Sequence, residues 1–309
     1  MHLAIEIGGT KLQAAVGTAD GRILRPARAE SPAEQGAAAM RQRAAELVRE
    51  VRAAGDEPID QVGIGFGGPV MRETGRIVRS HQVPGWEDFD LRGWAEHKFR
   101  LPAVVENDAN CGAVAEARLG AGRDARRVLY MNIGSGIGGG FVIDGHLASG
   151  PLGGEIGHTW VWDEAARRYD KLENLCSGWS LARRAREVAA DHPDGRILAL
   201  AGGQGDRIDA RTVAAAAREG DPDAGDLLDN ACESLAVALA NVAAIVQPET
   251  IVIGGGVARM GDVLFDRLRK RFEQRLFAPL ADRCPIVPAG LVQENVLVGA
   301  LLLDCNARA

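Results

Sequence analysis

Residues 104–115 read VENDANCGAVAE. Two carboxylates and two amides, Glu106, Asn107, Asp108 and Asn110, fall within five positions. They stand where an apolar run, Ala103 to Val105, meets a small-residue stretch of helical character. Such side chains accept or donate hydrogen bonds, and at a strand–helix junction they have two uses. One is capping, in which an Asn or Asp before a helix accepts from the free amides of its first turn. A cap needs one such residue and four are present, so the stretch reads equally well as a polar site. The local pattern leaves both open.

Three glycine clusters sit at strand ends: Gly8-Gly9-Thr10-Lys11, Gly134-Ser135-Gly136 running on to Gly140, and Gly254-Gly255-Gly256. Glycine lets a backbone turn sharply and bring several N–H groups to an anion with no side chain between. Three clusters, two with an adjacent hydroxyl, favour phosphate binding over chance turns. Gly134-x-Gly136-x-x-Gly139 formally matches a dinucleotide fingerprint, but that turn must open a helix. Here "GGFVIDGHL" continues as strand and hairpin. No Gly-x4-Gly-Lys-Ser/Thr occurs either. Hairpin turns are left as the phosphate cradle.

The elements that must position these residues follow from hydrophobic periodicity. "LAIEIGG" is a strand, and "LQAAVGTADGRIL" is two more joined at Asp20-Gly21, a hairpin signal. Helical character over 34–54 precedes a buried strand "QVGIGF", a short helix "DLRGWAEHKF" and a strand "AVVE". "RVLYMNIGSGIGGGFVIDGHL" then restarts the pattern of strand, glycine turn and hairpin. Asp226 to Gln247 and Asp262 to Leu276 read as helices flanking the strand of "TIVIGGGV". Two similar halves of mixed strands and helices predict an α/β chain of two domains with a cleft between them. The first spans residues 1–120 and the second 121–295, with a last helix, about 296–309, returning to the first.

The 309 residues suffice for two cores of ordinary size. A formal net charge of −6 without a basic run gives no nucleic-acid surface. No apolar stretch is expected to span a bilayer. The first strand begins at about residue 3, leaving no room for a signal peptide or for a DNA-binding helix-turn-helix. The five cysteines lack paired spacing, as expected of reduced thiols in the cytoplasm.

Taken together and in order, "IEIGGTKLQAAV", "VENDANCGAVAE", "NIGSGIGGGFVIDGHLASGPLGGEIGH" and "IVIGGGV" resemble the bacterial ROK sugar kinases. These belong to the superfamily of sugar kinases, heat-shock proteins and actin, which implies a two-domain actin-like ATPase fold, related to ribonuclease H. The resemblance covers nearly the whole chain. It implies Asp108 as general base toward the sugar hydroxyl, with Asn107, Glu155, His158 and Glu173 as sugar ligands. Gly67 and Gly68 would let the backbone approach the sugar. Gly8, Gly9, Thr10 and Lys11, with Gly134, Ser135 and Gly136, would hold phosphates, and Gly254, Gly255 and Gly256 the adenosine. Glu106 takes a structural role. ATP and Mg²⁺ are implied, as is a homodimer or homotetramer without nucleic-acid or membrane partners.

Three departures stand out. Glu6 replaces the family's usual Asp near Mg²⁺, reaching one methylene further. Ser135 replaces Thr and keeps the hydroxyl. The family's zinc motif, three cysteines after the Gly-His element, is missing from "TWVWDEAARRYDK". No structural zinc is therefore expected, and packing by Trp160, Trp162 and Tyr169 should hold that loop instead. Gln82 stands where Asn commonly precedes Pro-Gly-Trp. The expected activity is transfer of the ATP γ-phosphoryl group to the 6-hydroxyl of a hexose, glucokinase-like. Fructose or an N-acetylhexosamine is the alternative substrate, and a non-catalytic sugar-sensing regulator the alternative of another class.

Overall fold

Strand β1, His2–Ile7, is buried from Leu3 onward, as its apolar run requires. The chain is described here from a computed structural model, which covers all residues except 81–82, 149, 151, 165, 292–293 and 306–309. It divides into two units. The first comprises Met1–Arg123, Gly140–Gly154 and Leu291–Ala309; the second comprises Asp124–Gly139 and Glu155–Gly290.

In the first unit β1 is followed by β2, Lys11–Gly17, and β3, Ile23–Glu30. Helix α1, Gly36–Ala53, buries Met40, Ala44, Leu47, Val48 and Val51, the three-to-four spacing of one helix face. Strand β4, Gln61–Phe66, follows. The short strands β5, Val70–Met71, β6, Arg76–Ile77, and β7, Phe89–Asp90, form a small antiparallel sheet. Helix α2, Leu91–Phe99, is capped by the Asp90 side chain. Strand β8, Ala103–Asn107, runs directly into helix α3, Asp108–Arg118.

The main sheet has order β3-β2-β1-β4-β8. The first three strands are antiparallel, and β1, β4 and β8 run parallel. Register aligns Glu6 with Gly65 and Gly65 with Glu106, and in the next row Ile7 with Phe66 and Phe66 with Asn107. The three parallel strands therefore end level. Their carboxyl ends are where open α/β sheets bind ligands.

In the second unit β9, Arg127–Ile133, precedes the start of β10, Ile137–Ile143; from Gly140 onward β10, and all of β11, His146–Leu147, with which it pairs, belong to the first unit. A hairpin of β12, Trp160–Asp163, and β13, Arg168–Lys171, leads into helices α4, Leu172–Cys176, and α5, Gly178–Asp191. Helices α6, Arg196–Leu200, and α7, Ala210–Arg218, precede α8, Pro222–Val246. Helix α8 starts with an Asp221 cap and proline in its first turn.

Contrary to the sequence expectation, α8 is long and apolar enough to cross a membrane, with mean hydropathy 1.3 over its best 18 residues. Its leucines, valines and isoleucine supply most of that average, with the alanines adding to it. Leu228, Leu235 and Leu239 are buried among protein, as in a core helix. Strand β14, Thr250–Gly254, pairs in parallel with β9 and with β15, Ile286–Pro288, and α9, Asp262–Arg275, lies between the latter two strands in sequence.

The last helix, α10, spans Asn295–Leu302 and belongs to the first unit. It ends short of the expected 309 because Leu303 leaves in extended conformation. The alternation of β1 explains its seat: Leu3, Ile5 and Ile7 face α1, while Ala4 joins Ala15, Cys111, Leu297, Ala300 and Leu301 in a second core. Gly299 allows the approach, since a Cβ there would stand 1.9 Å from the Cys111 carbonyl oxygen. Each fully buried leucine in this layer contributes roughly 1.5–3 kcal/mol.

Candidate functional site

In the first unit the level strand ends bring several expected residues together. A Cβ built on Gly67, just past β4, would lie 3.4 Å from Asp108 Oδ2, 3.4 Å from the Ile7 carbonyl and 3.5 Å from Gly8 Cα. The space beside Asp108 thus exists because Gly67 has no side chain. Asn107 serves as cap, its Oδ1 accepting from the amides of Ala109 and Asn110 at 2.9 and 3.2 Å. Its Nδ2 donates to the Gly68 carbonyl at 3.1 Å. The capping reading of the motif is met by one residue, Asn107. The Ala109 amide also donates to Asp108 Oδ1 at 2.8 Å.

Glu106 is buried behind this junction. Its Oε1 accepts from the Asn107 amide at 2.8 Å and from Asn110 Nδ2 at 2.9 Å. Oε2 lies 3.3 Å from Arg72 Nε, close enough for an ion pair but without hydrogen-bond geometry. Burial pushes its carboxyl above the ordinary range, opposed by the bonds from Asn110 and Asn107 and by the charge of Arg72. Burial likewise pushes the neighbouring Cys111 thiol well up, so it behaves as a small apolar group.

Glu6 is buried and already engaged. Lys11 Nζ lies 2.9 Å from Oε1, and Gln13 Nε2, opposite in the β1–β2 register, donates to Oε2 at 2.6 Å. A carboxylate has about four acceptor directions, so Glu6 still fits a hydrated cation held chiefly by phosphates. Magnesium usually takes one or two carboxylates with waters and phosphates. Among the described residues no group of three or more His, Cys, Asp or Glu is arranged for a metal. The first glycine turn is closed by the Gly8 amide donating to the Lys11 carbonyl at 3.1 Å, leaving Gly9 and Thr10 exposed.

In the second unit two glycine turns meet. They follow β9 and β14, paired through Asn132 and Gly254. Gly255 has φ +89°, and a Cβ there would come 2.4 Å from the Ile133 carbonyl. Only glycine satisfies both the positive φ and the close approach. The turn at 134–136 is further buttressed: Gly178 N–H donates to the Gly134 carbonyl at 2.8 Å, and Ile137 N–H to Glu173 Oε2 at 2.9 Å. Glu173 thus supports the turn of Gly134, Ser135 and Gly136, a contact its sequence position did not suggest.

Glu155 and His158, also in the second unit, approach to 4.0 Å, and His158 Nδ1 lies 3.1 Å from Lys171 Nζ. The loop after His158 corrects the sequence expectation. Trp160, Trp162 and Tyr169 are 64%, 44% and 65% exposed and do not pack it in place. Strand alternation points these aromatics outward and turns Val161 and Asp163 inward, where Asp163 pairs with Arg184 Nη2 at 2.7 Å. Trp162 and Tyr169 stack edge to face across the hairpin at 5.3 Å. Gln82 lies outside the described residues.

Sequence reading gave no role to Asn110, Gln13 or Lys171. Asn110 stood inside the motif already singled out, and hairpin register would have paired Gln13 with Glu6. Lys171 carried no signal.

The model of the ROK family matches residues 2–306. A glucokinase of Halalkalibacterium halodurans is 32% identical over 308 residues, covering 96% of this chain and 93% of its own. The structure of a ROK family glucokinase from Streptomyces griseus in complex with glucose and AMPPNP is similar at a TM-score of 0.80 and 30% identity, covering 97% of each chain. The xylose repressor of Caldicellulosiruptor bescii is 27% identical, covering 83% of this chain and 66% of the repressor. With a family match over nearly its full length and the two-domain actin-like ATPase fold of its structural neighbours, the chain belongs to the ROK family.

Proposed function

We propose that the chain is an ATP-dependent hexose kinase transferring the γ-phosphoryl group of ATP to the 6-hydroxyl of a hexose, with glucose as the default. The observation that carries this reading is the β8–α3 junction, where Asp108 borders space left by Gly67 while Asn107 and Glu106 secure the backbone. Asp108 accepts the hydroxyl proton as the sugar oxygen bonds to phosphorus and the bond to the ADP oxygen breaks. Asn107, Glu155, His158 and Glu173 hold the sugar hydroxyls, and Gly68 brings backbone close to the ring. The turns of Gly8–Lys11 and Gly134–Gly136 meet the phosphates, and that of Gly254–Gly256 the adenosine. Glu6 would meet a Mg²⁺ ion bound with ATP through water, and that ion would offset phosphate charge. Support comes from the glucokinase relative and from the glucokinase structure with glucose and AMPPNP.

ADP release measured over a panel of sugars tests this. Turnover with glucose well above that with fructose, mannose and N-acetylhexosamines supports the reading. A preference for fructose or an N-acetylhexosamine moves the substrate, and binding without turnover leaves a sugar-sensing protein of the kind the repressor relative suggests. The chain works in the cytoplasm as a homodimer or homotetramer. We also propose that it carries no structural zinc, because the loop from Thr159 to Lys171 offers no thiolate. Elemental analysis of protein purified without chelator should find no stoichiometric zinc; about one per chain overturns this.

A further inference from the structure

Asn110 occupies the first turn of α3, where every neighbour from Ala109 to Ala117 is small or apolar except Glu116. It is buried, and its Oδ1 has no hydrogen-bond partner. Alanine would avoid that penalty, so the use of the residue must lie in its other end. An amide nitrogen has two N–H groups. One reaches Glu106 Oε1 at 2.9 Å, and the other reaches the Gly153 carbonyl at 3.2 Å. Gly153 stands two residues before Glu155, in the segment "GGEIGH". The Glu106 carboxylate accepts both from Asn110 and from the Asn107 amide, so one buried group ties the base-bearing junction to that segment.

We propose that Glu106 and Asn110 are positioning residues: the carboxylate orients the Asn110 amide, which anchors Gly153, at the start of the segment "GGEIGH", beside the β8–α3 junction. The Glu106 acceptor also fixes which end of Asn110 is nitrogen, since the reverse orientation would face two oxygens together. Neither side chain contacts substrate in this scheme. Each acts through the residues it holds.

Hydrogen exchange and kinetics on the full-length chain test the idea together, and only the kinetic arm rests on the sugar-kinase reading. Asn110→Ala should speed amide exchange across residues 153–158 about tenfold or more while leaving 61–66 as in the wild type. It should raise the sugar KM roughly 10- to 100-fold, the scale of a small misplacement in a binding site, with the ATP KM unchanged. Glu106→Gln keeps the carbonyl acceptor and should stay within about threefold of wild type, whereas Glu106→Ala should match Asn110→Ala. Should Glu106→Ala fail to fold, the Asn110→Ala and Glu106→Gln pair still decides. Unchanged exchange at 153–158 in Asn110→Ala overturns the proposal, as do sugar and ATP KM values rising together. If no sugar is turned over, the exchange result alone decides for or against the anchor, and the kinase reading fails separately.

Discussion

The β8–α3 junction and the β12–β13 hairpin invert the usual rule of burial. The junction is among the most polar stretches of the chain, yet Glu106 and Asn110 are 2% and 4% exposed. The hairpin carries three large aromatics, yet Trp160, Trp162 and Tyr169 face solvent. At the junction, backbone amides and facing side chains engage Glu106 Oε1, Asn107 Oδ1 and the Asn110 amide nitrogen, and Arg72 lies against Glu106 Oε2, which offsets most of the cost of burial. In the hairpin, strand alternation allots one face inward, and Val161 and Asp163 take it. Polarity alone decides neither case; partners and register do.

Four changes press on this contrast. Asp108→Asn keeps the shape of the junction and removes its proton acceptor, so turnover should fall ~10²–10⁴-fold while sugar binding persists by calorimetry. Near wild-type turnover would reduce Asp108 to part of the cap. In the hairpin, Asp163→Ala strips the partner from Arg184, a half-buried cation, and should destabilise by about 2–3 kcal/mol in urea titration. A loss below about 0.5 kcal/mol would mean that the inward face does not hold the hairpin.

Glu106 supplies a pH test. With its carboxyl above the ordinary range in the folded state, the folded chain binds more protons than the unfolded one between the two values. Its contribution to stability therefore falls as pH rises from the ordinary carboxylate range through the raised value, and is level above that. Subtracting a Glu106→Gln series of urea midpoints from the wild-type series should expose this decline. A difference that rises over the same window would reverse the assigned direction. The smallest effect is expected at the exposed face: Trp160→Ser should shift stability by less than about 0.5 kcal/mol. A loss above about 1 kcal/mol would show that this face is covered in solution.

Legibility in the sequence followed the range of the interactions. The strand–glycine–hairpin pattern at Gly8 and at Gly134 was readable because neighbouring residues make those turns. Helix α3 and its Asn107 cap were readable for the same reason, since the cap and the amides it serves are adjacent. Glu173 supporting Ile137, 36 positions away, needed the folded chain. So did the outward aromatics, because four-residue strands give alternation too little length to choose a face. Helix α8 was readable as a helix, but its polar residues, spread among the apolar ones, hid a mean hydropathy that meets the length and composition of a membrane span.

The seat of α10 has a consequence for synthesis. Ala4 and Ala15 share their core with Leu297, Ala300 and Leu301, which are made long after them. A chain leaving the ribosome tends to fold domain by domain from its N-terminus, but here β1 and β2 lack the cover of α10 until residues 295–302 have been made. Residues 155–290 of the second unit emerge in the interval. The face of the sheet bearing Ala4 and Ala15 thus waits for α10 through that interval.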